Sequence, residues 1–419
     1  IFTVFLLTTP QWLLTAKSPY NLSEQVTIRR DTYGIPHILA KTEEAAAFGF
    51  GYAQAEDHCL EIARAFVGAR GENAKYFGQG VEGDFLLKQF DNYGACKKNF
   101  TQLDPLLQKI FRAYAAGVNH YIAQHRKELP EWIPTFDEID VLANIHEGAI
   151  NSVNGVIRRL QAKYENKPAP PQISRVDLTP EEFAAEAAGS NALAIGPSRS
   201  VSGKAMLLGN PHLNWASLYW EAHVTVPGKI NFFGSTLPGL PVLRAGFNEH
   251  LGFVQTNNAP DMADVYALKL DPNNPEYYSF DGKPMPITKR EVAIEIKNAD
   301  GSLKTEKRTY EYSHLGAIIY RNQNQVFAYR STQLDSYRHF EGFYRLSKAR
   351  NLQEWMAVMK MNLLNYSNFT YADRDGNIYY IWMAGLPVLP HPPGNDTMAG
   401  GLGNDILNGD AGDDTFDAK

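Results

Sequence analysis

The feature that most constrains this 419-residue chain is a change of texture near its middle. Before residue 166 the pattern is helical. Thr42 to about Arg70 opens on an N-cap threonine with Glu43 and Glu44 in the first turn. Asp104 to about Glu128 places Leu107, Ile110, Phe111, Tyr114, Val118 and Tyr121 on one face. A third helical stretch covers roughly Val141 to Tyr164. Residues 166–189 (NKPAPPQISRVDLTPEEFAAEAAG) turn Pro-rich, polar and then Ala-rich, the composition of a linker. Beyond them, short apolar runs are broken by Gly, Pro and Asn. Arg290–Lys297 and Glu306–Tyr312 alternate around the turn Asn298–Gly301, which predicts a hairpin. Leu352–Met361 reads as a short helix and Asn377–Ile381 as a strand. Helices first and many antiparallel strands after them favour α+β over a doubly wound parallel sheet.

Composition narrows function mainly by exclusion. Forty basic residues against 46 acidic ones provide no positive field for nucleic acid. The acidic excess is local: residues 395–419 hold six Asp and one Lys, so the body is close to neutral. Cys59 and Cys96 are too few for a disulfide scaffold or a four-cysteine zinc site, leaving one bridge or two free thiols open. Residues 1–16 (IFTVFLLTTPQWLLTA) carry no charge and are short for a membrane span; they read as the apolar part of a secretory signal peptide ending near Ala16. The expectation is a periplasmic or secreted protein with no integral membrane segment. GxSxG, HExxH, CxxC, phosphate-loop and GxGxxG motifs are all missing, so the usual routes to a serine-triad hydrolase, zinc protease, kinase or dehydrogenase lack support.

The junction at Gly189-Ser190-Asn191 carries the chemistry. Around it stand VTIRRDTYGIPHILAKTEEAAAFGFGYAQAEDHCLEIAR (26–64), MLLGNPHL (206–213), LPGLPVLRAGFNEHLGFVQTN (237–257) and NFTYADRDGNIYY (368–380). Together these resemble the penicillin acylase family of N-terminal-nucleophile hydrolases, and within it the cephalosporin and acyl-homoserine-lactone acylases. The resemblance covers roughly residues 24–393. It implies an αββα sandwich, with 17–165 as a first chain, 166–189 as a spacer and 190–393 as the N-terminal part of a second chain of the same precursor. It also implies self-cleavage between Gly189 and Ser190. Ser190 would become the nucleophile, its freed α-amine (pKa near ~8) the base, the Asn257 backbone N–H an oxyanion donor, and His212 a neighbour that orients the centre. Asn368 is read as a structural strand-end residue: the family's second oxyanion asparagine lies in a later Gly-rich segment without a counterpart in this sequence, so the fold is expected to be incomplete there. Asp261 and Asp264 fall where some relatives hold a structural calcium. Phe48, Phe50, Tyr52, Trp215, Tyr219 and Trp220 are candidates for an acyl pocket and, equally, for core. Expected substrates are small acylated amines: acyl-homoserine lactones, β-lactam side chains or lipopeptides.

Residues 394–419 parse into nonapeptides. Gly400–Asn408 (GGLGNDILN) resembles the RTX calcium-binding repeat, with Gly403 and Asp405 at the fourth and sixth places. Gly412 and Asp414 occupy the same places in the next unit, and Asp396 in a degenerate one before it. Glycines allow tight turns, aspartates supply hard oxygen ligands, and Met398, Leu407 and Phe416 recur at nine-residue intervals. The expectation is a short calcium-bound β-roll and no organic cofactor. The competing reading is an acylase-like protein without catalysis whose working element is this tail.

Overall fold

A computed structural model describes residues 21–165, 189–212, 218–258, 260–386, 397–399 and 415–417. Contacts divide the chain into two units, 1–385 and 386–419.

The larger unit begins with β1 (Val26–Arg30) and β2 (Pro36–Ala40), followed by α1 (Glu43–Ala69). Thr42 caps α1 as the sequence predicts, its hydroxyl accepting the Ala45 N–H at 3.1 Å. Three short helices follow, α2 (Asn73–Phe77), α3 (Val81–Gln89) and α4 (Asn92–Asn99), then α5 (Pro105–Gln124), capped by Asp104. α1 and α5 cross very closely. A Cβ on Gly117 would stand 2.0 Å from the Phe48 carbonyl oxygen, and one on Gly51 2.2 Å from that of Tyr114, so only glycine permits the crossing. The single helix predicted over 141–164 is two, α6 (Glu138–Asn151) and α7 (Val153–Glu165). Asn151, Ser152 and Asn154 are poor helix formers, and Ser152 turns its hydroxyl back onto the Ala149 carbonyl at 2.8 Å.

The strands after residue 189 are β3 (Ser190–Ile195), β4 (Met206–Pro211), β5 (Trp220–Val226), β6 (Ile230–Thr236), β7 (Ala245–Phe247), β8 (Leu251–Asn257), β9 (Ala263–Asp271), β10 (Asn274–Phe280), β11 (Lys283–Pro286), β12 (Thr288–Lys297), β13 (Leu303–Ser313), β14 (Gly316–Arg321) and β15 (Gln325–Ser331). α8 (His339–Leu346), α9 (Leu352–Met359), β16 (Ser367–Asp373) and β17 (Ile378–Trp382) complete the unit. An eight-stranded sheet runs β1-β2-β5-β6-β7-β8-β16-β17, antiparallel except where β2 meets β5. Trp220, Ala222, Val224, Val226, Ile230 and Phe232 face one way from it and pack with Phe50, Ile110 and Phe111 of α1 and α5. Because β2 precedes residue 165 and β5 follows 189, one sheet is built from both segments, and a cut at 189 would leave them interlocked.

The opposite face of this sheet carries the two-stranded β3–β4 layer, which rests on β8, β16 and β17. The described residues therefore form helical, β and β layers of a mixed α and β fold, the second β layer being two strands wide. A separate seven-stranded sheet, β11-β10-β9-β15-β14-β13-β12, has its own core around Leu268, Tyr278, Ile318 and Val326. The predicted hairpin is β12–β13, with Ile294 opposite Glu306.

In the smaller unit β18 (Thr397–Ala399) pairs in parallel with β19 (Thr415–Asp417), Met398 opposite Phe416. The pairing joins positions two nonapeptide lengths apart; Leu407 of the intervening unit lies outside the described residues.

Candidate active site

Ser190 opens β3 and stands opposite Pro211 of β4. The hairpin register continues past the strand end, the His212 backbone N–H donating to the Gly189 carbonyl at 3.0 Å. The Ser190 hydroxyl donates to the same oxygen at 2.7 Å. The carbonyl of the Gly189–Ser190 bond thus accepts from two donors while the serine oxygen lies beside it. The His212 ring turns elsewhere: its Nε2 lies 3.0 Å from the Asn191 amide nitrogen.

The hairpin's position follows from four close approaches. A Cβ on Gly209 would stand 2.5 Å from Val254 Cγ1, and one on Gly252 lies 3.1 Å from Leu207 Cδ2. On the other side, a Cβ on Gly196 would stand 3.7 Å from Ile378 Cδ1 and one on Gly376 2.7 Å from Pro197 Cγ. β4 therefore runs along β8 in the same direction. Carried two residues on, the register brings Pro211 and its partner Ser190 toward Thr256 and Asn257 at the end of β8. Asn257 lies opposite Ser367, and its carbonyl accepts from Asn368 Nδ2 at 3.1 Å. Asn368 also donates to Thr256 Oγ1 (3.1 Å) and accepts from the Tyr380 hydroxyl (2.9 Å), so its side chain ties three strands together. β3 and β4 both pack on β8, the strand that ends at Asn257. An open groove of about 680 Å³ runs beside β4 from Lys204 and Leu207 to Pro211, floored by Phe233, Phe247 and Val254.

Among the other sequence candidates, Phe48, Phe50 and Trp220 are core; Phe50 and Trp220 meet edge to face at 4.9 Å. Tyr52 donates to Gln124 at 2.9 Å, Tyr219 is exposed, and Trp215 lies outside the described residues. Asp264 is the second residue of β9, opposite Arg330, and Asp261 is exposed in the preceding loop. Among the described residues no three His, Cys, Asp or Glu side chains converge, so a calcium there would need backbone oxygens or water for most of its six to eight ligands. Asp396, Gly403, Asp405, Gly412 and Asp414 lie outside the described residues. Cys59 and Cys96 are free, buried thiols. Sequence reasoning missed Gln54, a buried side chain of α1 that accepts the Gly239 N–H (3.1 Å) and donates to the Leu240 carbonyl (3.3 Å), fixing the 237–243 loop. It also missed the convergence of Glu147, Arg244 and His339 on one cavity, since the three lie on separate segments without a shared local pattern.

The chain belongs to the penicillin amidase family, which it matches over residues 25–417. It is similar to the acyl-homoserine lactone acylase PvdQ of Pseudomonas fluorescens, 31% identical over 394 residues, covering 86% of this chain and 50% of that protein. Aculeacin-A acylase of Actinoplanes utahensis is 26% identical over 391 residues, 84% of this chain and 48% of that one. The chain spans about half the length of the curated relatives it matches. Among solved structures, a thermostable penicillin G acylase from Alcaligenes faecalis aligns with a TM-score of 0.42 and 21% identity, over 47% of this chain and 35% of that one.

Proposed function

We propose that this chain is the nucleophile-bearing part of an amide hydrolase that releases an acyl chain from a small amine, and that it matures by cutting itself between Gly189 and Ser190. The observation that carries the reading is the junction: a serine oxygen beside the preceding carbonyl, with that carbonyl already held by the His212 N–H. Attack of Ser190 Oγ on the Gly189 carbonyl carbon transfers the acyl group from nitrogen to oxygen. Water then hydrolyses the ester, leaving a Gly189 carboxylate and a free Ser190 amine. In the matured protein that amine takes the hydroxyl proton as Ser190 attacks the substrate amide, then returns it to the departing amine. The Asn257 N–H supplies oxyanion stabilisation, and His212, tethered to Asn191, holds the junction's geometry. One such donor is worth ~10²–10³ in rate. Acyl-homoserine lactones, β-lactam side chains and lipopeptides are the substrate classes, in a periplasmic or secreted setting with an αββα fold as the finished architecture. Incubation with a panel of these amides, scored by amine release, tests the activity; wild-type release that persists undiminished in Ser190→Ala would refute it.

The tail supports a second element. Calcium held by Asp396, Asp405 and Asp414, with turns at Gly403 and Gly412, would order residues 394–419; the parallel β18–β19 register, two nonapeptides apart, favours such stacking. In a second reading this tail works without catalysis. A calcium-dependent gain of β signal in circular dichroism, together with no amine release, would select it.

A further inference from the structure

Where β2 and β5 run parallel, the large sheet sets two histidines side by side: His37 stands opposite His223. Their neighbours Ile38 and Val224 are buried in the core beneath the helices, so both rings leave the sheet on its other face. The ring planes meet edge to face at 83°, with one Nδ1 3.1 Å from the other. Each ring's far nitrogen faces an oxygen. His223 Nε2 lies 2.8 Å from Asn231 Oδ1, and His37 Nε2 lies 3.7 Å from Asp31 Oδ2. Asp31 is itself fixed, its other oxygen accepting the Tyr33 and Ile35 N–H groups at 2.8 and 3.0 Å. Amide and carboxylate oxygens accept and do not donate, so the rings serve them with hydrogen on Nε2 and a lone pair on Nδ1. Two lone pairs then face each other, and a shared cation resolves their opposition.

We infer that His37 and His223 together hold one divalent transition-metal ion of the zinc type. Two imidazole nitrogens on one tetrahedral zinc, each bonded at about 2.0–2.1 Å, stand about 3.3 Å apart, close to the 3.1 Å between these two. Imidazole ligands suit zinc, copper and nickel, not magnesium or calcium. An oxygen acceptor on the far nitrogen is the partner that orients a ligating histidine. Among the described residues no third His, Cys, Asp or Glu joins the pair, so water completes the coordination shell. The His37 side chain is 42% exposed, which admits a hydrated ion. Arg29 is the cross-strand partner of His37 and Asp31 faces its far nitrogen, so the ion meets one charge of each sign. A bound ion would join β2, which precedes residue 165, to β5, which follows 189, across a pairing three residues long. With the proposed cut at 189, on which this role alone rests, the ion becomes a clip between two chains.

The test is calorimetric titration of the full chain, first freed of metal with a chelator, with zinc chloride. One zinc per chain should bind. His37→Ala and His223→Ala should each weaken that binding at least tenfold, and His125→Ala, which removes a half-exposed histidine after α5, should leave it unchanged. Ser190→Ala should bind zinc as wild type, because the pair forms before any cut. No binding, binding indifferent to both substitutions, or an equal loss in His125→Ala overturns the inference. Zinc should also shield His37 and His223, but not His125, from diethyl pyrocarbonate in the wild type, read by peptide mass; this decides even if a variant fails to fold, and absence of that shielding overturns the site. In cleaved protein, zinc should raise the urea concentration at which the fragments part, an effect lost in His37→Ala. Zinc bound by a chain that never cuts leaves the site standing and removes only the clip. A clean cut without zinc binding removes the site and leaves the amidase reading.

Discussion

Gly209 lies against Val254 so closely that a Cβ at 209 would stand 2.5 Å from Val254 Cγ1. This contact seats the Ser190 hairpin on the eight-stranded sheet, and it makes residue 209 a position where bulk is transmitted to the junction. Gly209→Val should lower stability by roughly 1–3 kcal/mol through overpacking. It should also slow cleavage at 189, because the displaced hairpin loses its register toward Asn257. Thermal melting and a time course of fragment appearance measure the two effects.

Glu43 ties α1 to α8 and the segment after it. Its carboxylate receives the Tyr344 hydroxyl and the Lys348 ammonium, each at 2.6 Å, with Lys229 at 3.5 Å. Burial alone would raise its pKa, but these donors together hold it below the ordinary glutamate value. Its contribution is therefore complete above the unfolded value of ~4.3 and is lost as pH falls through the depressed folded value. Glu43→Gln should cost roughly 1.5–3 kcal/mol at pH 7. The gap in melting temperature between the two proteins should close as the medium is acidified below that range.

Burial pushes the Cys59 thiol up to about 11 and that of Cys96 up to about 12. Neither offers thiolate at neutral pH. A thiol reagent should find both groups in denaturant and react only slowly with the native chain, and reduction should leave the melting temperature unchanged.

Gln54 holds the loop that carries Arg244. Gln54→Leu keeps the volume but removes the bonds to Gly239 and Leu240, leaving buried backbone groups unpaired. A loss of roughly 1–3 kcal/mol is expected, read as a lower melting temperature.

Local signals carried the sequence reading furthest. Thr42 caps its helix where its type and spacing predict, and Asn298–Gly301 turns a hairpin whose alternation is plain in the text. α2 to α4 escaped because they are short and punctuated by Gly78, Gly80 and Asp91 at positive φ, where periodicity has no room to develop. The β2–β5 pairing, His37 opposite His223, joins residues far apart in sequence, and no local pattern encodes it. Ser190, His212 and Asn257 were proposed through family resemblance. Their geometry was not: the His212 ring meets Asn191, while its backbone, common to every residue type, reaches Gly189. The cavity of Arg244 was invisible for the same reason as the sheet, since its walls come from distant segments.

Intact-mass measurement with N-terminal sequencing of freshly purified wild type and Ser190→Ala bears most directly on the proposed chemistry. Two fragments from wild type, the larger beginning at Ser190, and one unbroken chain from the variant are the expected result. A wild-type chain that stays whole, or a new terminus at any other residue, would contradict it.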